Sequence, residues 1–174
     1  MQTKSLRLPV FPNWFPFNDM LLDGHLKVGK YEGVKTRSWD WNYRGPLLLY
    51  TSGRAFHQAV EAYQYANGAK KHKVIIGIGE LVDVRELTEK EAYKMVCNFN
   101  NVKPSELSPL IPDTVPPFEA YVLGYIAPYR IGFFFQNLRR FEQPVPFKWP
   151  AGPVKPIFTE IKPGTELHQA IATT

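Results

Sequence analysis

Sixteen prolines in 174 residues constrain this chain more than any other feature. Each proline removes a backbone donor and fixes φ, so it is costly in a helix interior and in the middle of a sheet. Many fall in the second half, so long helices cannot dominate and the elements must be short and joined by turns. The patterns between the prolines agree. Leu6, Leu8 and Val10 alternate over residues 5–10, the period of a half-buried strand. Asn18 is placed to cap a short helix over 19–22, which Gly24 can end. Leu47, Leu48, Leu49 and Tyr50 make a buried strand, and Phe56, Val60, Tyr63 and Ala66 mark an amphipathic helix over 55–67 stopped by Gly68. Residues 74–84 form a long strand whose alternation sharpens towards its end, and Thr88 with Glu91 makes a capping box for a helix over 88–99. A proline-studded loop over 104–117 precedes closing strands at 120–126 and 130–138. Such an order predicts an α+β fold in which short strands curl into a small mixed β-barrel flanked by helices, because an open sheet leaves edges exposed. One domain of 1–174 is expected, with a core over about 5–158 and a C-terminal tail over 159–174.

A 44% hydrophobic and 14% aromatic composition supplies a packed core and excludes wholesale disorder. The longest apolar runs, 46–50 and 74–78, fall well short of the roughly 20 residues that a bilayer-spanning helix needs. Residues 1–9 lack the apolar stretch of a secretory signal, so a cytoplasmic location is expected and no membrane partner. The single cysteine, Cys97, has no partner for an internal disulfide and reads as a small core residue. His25, His57, His72 and His168 are scattered, so neither a metal nor a cofactor is expected. Gly77-Ile78-Gly79 follows an apolar strand but lacks the third glycine of a dinucleotide fingerprint. Twenty-one Lys and Arg against 16 Asp and Glu leave a net charge of +5, which favours an anionic partner.

The stretch Gly33-Val34-Lys35-Thr36-Arg37-Ser38-Trp39-Asp40-Trp41-Asn42-Tyr43-Arg44-Gly45, running into Pro46-Leu47-Leu48-Leu49, resembles the signature of the ASCH family, a branch of the PUA-like superfamily. Gly77 to Val84 followed by Leu87-Thr88-Glu89-Lys90-Glu91-Ala92 is similar to its second strand and helix, and Tyr129 to Phe135 with Pro144-Val145-Pro146 to its closing strands. The resemblance covers most of residues 5–158. Two departures stand out. A glutamate usual two residues before the signature arginine is here Lys35, and the loop over 25–32 is longer than usual, so the signature lysine is matched by Lys35, with Lys27 and Lys30 as alternatives.

The resemblance implies a nucleic-acid-binding module, with RNA or another single strand as partner, held in a cleft beside the barrel. Lys35, Arg37, Arg44, Lys71 and Arg139 are the candidate cations for phosphate or base edges. Trp39, Trp41 and Tyr43 are candidates to stack on an unpaired base. A purely architectural alternative stands beside each: Arg44 can anchor its turn on backbone carbonyls, Trp39 can pack in the core, and the basic runs can be solvated surface. Some proteins similar to this family hydrolyse N4-acetylcytidine with a lysine, a threonine and a glutamate, and some relatives are ribonucleases. For a hydrolase acting on that or a related modified nucleoside, Lys35, Ser38 and Glu91 are the catalytic candidates. The match places the acid at about Met95, so Glu91 serves only if the helix shifts by a turn.

Overall fold

The computed structural model describes residues 5–56, 60, 72–88, 91, 131–152 and 155–174. Six strands and two helices make up the described chain: β1 (Leu6–Phe15), α1 (Phe17–Leu22), β2 (Gly33–Arg37), β3 (Gly45–Ala55), β4 (Val74–Glu86), β5 (Ile131–Pro146), β6 (Ile157–Ile161) and α2 (Glu166–Ala172). The strands form one mixed sheet in the order β2-β5-β4-β3-β1-β6. β1 runs parallel to β3, with Val10 opposite Leu48, and antiparallel to β6, with Leu6 opposite Ile161. β2 lies antiparallel to β5.

The closed barrel expected from the sequence is not seen among the described residues, where the sheet is open from β2 to β6. That expectation rested on exposed edges being a liability. Instead the edges are blunted by brevity, since both edge strands are only five residues long. The helices expected over 55–67 and 88–99 lie outside the described residues apart from Ala55, Phe56 and Thr88 at their N-terminal ends and Val60 and Glu91, which are both helical. The loop over 104–117, Cys97 and the strand over 120–126 also lie outside them.

The C-terminal residues are a second correction. Residues 159–174, expected as a tail, complete β6 and form α2, which Thr165 caps by accepting from the His168 N–H at 3.3 Å. Leu167, Ala170 and Ile171, spaced to share one helix face, pack on the core. A third concerns α1, which begins at Phe17, so Asn18 is no cap. It is fully buried, accepts from Asn13 Nδ2 at 2.6 Å and donates to Thr51 Oγ1 at 3.3 Å. Six residues are too few to hold a helix by propensity, and burial of Phe17, Met20 and Leu21 stabilises it instead.

The chain divides into two compact units. The first comprises Met1–Leu22, Pro46–Glu80 and Asn137–Thr174, with a core of Leu8, Val10, Leu48, Tyr50, Ile75, Ile78, Phe141, Val145 and Ile161. Each such side chain contributes about 1.5–3 kcal/mol on burial. The second comprises Asp23–Gly45 and Leu81–Gln136. Val34, Phe133, Phe134 and Phe135 are fully buried in it, and the Tyr31 ring lies 4.7 Å from that of Phe134. No helix among the described residues is long and apolar enough to cross a membrane.

Candidate nucleic-acid interface

Most of the candidate residues fall in the second unit, on β2 and the loop that follows it. Register fixes their placement: Lys35 is opposite Phe133, Thr36 opposite Gly132 and Arg37 opposite Ile131. Strand alternation puts Lys35 and Arg37 on one face. Lys35 is 4% exposed, and this burial, reinforced by the neighbouring Arg37 charge, holds its pKa well below the usual lysine value. Arg37 is half-buried and donates from Nη1 to the carbonyl of Thr36 at 3.0 Å. Arg37 supplies a permanent cation on this face, with the buried Lys35 amine beside it, and the two favour binding of an anion.

Beyond Arg37 the chain bends, so the aromatic residues no longer follow the strand period. Ser38 is exposed at this bend. Trp39 meets the Phe133 ring edge-on, with centroids 5.0 Å apart, and remains half-buried. Its packing on a core phenylalanine agrees with the architectural alternative. Trp41 and Tyr43 stack on each other at 4.8 Å and 27°, forming a small aromatic platform. Burial raises the Tyr43 pKa.

Arg44 has an anchoring place. Its Nη1 donates to the carbonyls of Trp41 at 2.8 Å and Tyr43 at 2.7 Å, and its Nη2 to that of Val84 at 3.2 Å, with Asp83 at 3.7 Å. The next residue turns the chain at φ +130°, and a Cβ there would meet the Tyr43 hydroxyl at 3.1 Å, so Gly45 suits the turn on both counts. The Tyr43-Arg44-Gly45 block is thus a fastening that aims the aromatic loop.

Glu91 also has a committed partner. Arg85 donates to its two oxygens at 2.7 and 2.5 Å, and the N–H of Thr88 donates at 3.0 Å. The Thr88 hydroxyl in turn accepts from the Glu91 N–H at 3.2 Å, which is the capping box expected from the sequence. These donors, led by Arg85, pull the Glu91 carboxyl down to about 2. So acidic a carboxyl is a weak proton acceptor at neutral pH. The same arginine lies over the Phe134 ring at 4.1 Å, and this clamp on the second unit's core had no signal in the sequence beyond the charges themselves.

Arg139 belongs to the first unit, where it lines a cleft with Pro46, Ile78, Gly79, Glu80 and Asn137, and Lys71 lies outside the described residues. Glu80 and Asn137 were not singled out for binding from the sequence. For Asn137 the available signal is the break in apolar patterning after Phe135. Among the described residues no group of His, Cys, Asp and Glu is arranged to hold a metal ion.

No family model matches the chain, and no curated protein matches it. A solved ASCH structure is similar to it. The crystal structure of ASCH from Zymomonas mobilis is 12% identical and aligns over 95% of this chain and 93% of that one, with a TM-score of 0.48.

Proposed function

We propose that this chain binds single-stranded or looped RNA through the part of its second unit that carries Lys35, Arg37, Trp39 and Trp41. The carrying observation is the Lys35 and Arg37 pair on one face of β2, followed directly by an aromatic platform. Phosphate oxygens supply the anion that the Arg37 guanidinium with the Lys35 amine attracts, and an unpaired base supplies a ring for Trp41 to stack on. The net charge of +5 adds long-range attraction. Arg44 and Tyr43 act at one remove, by holding the loop.

The test is an oligonucleotide titration at several salt concentrations. Log affinity should fall linearly with log salt, by about 0.7 per phosphate contact on a single strand. Arg37→Ala should remove about one contact from that slope and weaken all sequences alike. Trp41→Ala should cost about 1–3 kcal/mol with little change in slope, because stacking displaces few ions. Unchanged affinity in both variants would remove the site from this strand and loop.

One observation favours a second reading, the hydrolysis of N4-acetylcytidine or a related nucleoside: a lysine with a depressed pKa is what a catalytic base or nucleophile requires. Against it stands Glu91, locked to Arg85. Release of product from acetylated cytidine, abolished in Lys35→Ala, would establish the hydrolase instead.

A further inference from the structure

The cleft in the first unit has a chemistry of its own. Its volume is about 340 Å³, within the range of small-molecule sites. Ile78 and Pro46 give it apolar walls, Gly79 adds only backbone, and Glu80, Asn137 and Arg139 bring the polar groups. Asn137 adopts φ +51°, a left-handed conformation uncommon outside glycine. Such departures inside a strand re-aim side chains and cluster at functional sites. Here the departure accompanies a short bond from Asn137 Nδ2 to Glu80 Oε2, at 2.8 Å.

That bond fixes what the cleft offers a ligand. The second Glu80 oxygen and the Asn137 carbonyl oxygen remain as acceptors. The Arg139 guanidinium, which makes no hydrogen bond or ion pair among the described residues, remains as a donor. One donor beside two acceptors complements a planar group that presents an acceptor beside two donors. Among the nucleobases only guanine does so, through O6, N1–H and the N2 amine. Adenine and cytosine would turn a ring-nitrogen lone pair towards the carboxylate, and uracil would set its O2 against the acceptors that the guanine N2 amine satisfies.

We infer that this cleft is a guanine site, with Arg139 donating to O6, Glu80 accepting from N1–H and Asn137 with Glu80 accepting from the N2 amine. It stands on the first unit alone and goes beyond the proposed RNA contact at Lys35 and Arg37. A guanine can arrive as a free nucleotide or within a strand, and the base chemistry is the same.

The experiment uses the full chain and two sets of probes: guanosine, inosine, adenosine and cytidine 5′-monophosphates, and five-nucleotide strands carrying each of these bases at the centre of an otherwise uniform sequence. Isothermal titration of each set is expected to favour guanine over inosine and adenine by about tenfold or more in at least one set. Preference among free nucleotides assigns a nucleotide ligand, and preference only within strands assigns sequence reading. Inosine lacks only the N2 amine, so this comparison needs no variant. Glu80→Gln should bring the preference below about threefold, with its thermal midpoint recorded alongside. Arg37→Ala should weaken every strand and leave the preference intact, so loss of the RNA contact and loss of the guanine site are distinguishable. Equal affinity for all bases in both sets, or a preference undiminished in Glu80→Gln, would overturn the inference.

Discussion

Arg44→Ala separates an anchoring arginine from one that holds phosphate. Three backbone carbonyls accept from this guanidinium at 2.7–3.2 Å, and each such bond is worth about 0.5–1.5 kcal/mol net. The Asp83 pair, at 3.7 Å with both side chains more than a third exposed, adds a few tenths of a kcal/mol at most. Water can reach the freed carbonyls at an exposed site, so the loss lies in the lower half of the range, at about 2 kcal/mol. For a chain of this size that is a fall of roughly 4–8 °C in Tm. The assay is a paired measurement of urea unfolding and RNA titration at several salt concentrations. Loss of stability with an unchanged salt slope is expected, because the bonds are internal and displace no counterions. Unchanged stability together with a slope reduced by about one contact would refute the reasoning and put Arg44 on phosphate.

Lys35→Met should stabilise the protein at neutral pH while abolishing RNA binding, because a buried ammonium costs more than a methyl thioether. As its folded pKa lies below the unfolded value of about 10.5, the gain should shrink as pH rises from the lowered folded pKa through about 10.5, which chemical unfolding across that range would record. Glu91 shows the opposite sign: its depressed carboxyl contributes stability that is fully present above about 4.5 and lost as pH falls towards about 2. Glu91→Gln should therefore lower the urea midpoint at pH 7 and flatten its acid limb between those values. Ile161→Ala, at a site 2% exposed where β6 meets β1, should cost about 2–5 kcal/mol by urea unfolding, whereas a mere tail would lose nothing.

Local signals were the legible part of this fold. The run from Val74 carries β-branched residues through a strand buried at Val74 to Gly79, and the Thr88 and Glu91 box closes with both reciprocal bonds. Sheet closure was not legible, because edge pairing depends on partners far away in sequence. Nor was the role of Asn18, whose buried bonds to Asn13 and Thr51 outcompete the cap that its position suggests. At the candidate site, residue types were readable and their duties only in part. Nothing in Tyr43-Arg44-Gly45 reveals that Val84, forty residues later, receives the guanidinium.

The pairing of β2 bears on when the proposed RNA contact can exist during synthesis. Lys35 and Arg37 leave the ribosome about a hundred residues before the pairing residues of β5, the one strand beside theirs among the described residues. Contacts so distant in sequence form slowly, since closing so long a loop costs entropy before the contact forms. A nascent chain lacking Ile131 to Phe135 has Lys35 and Arg37 but not the strand that pairs with theirs, so RNA capture should begin only once those residues have emerged.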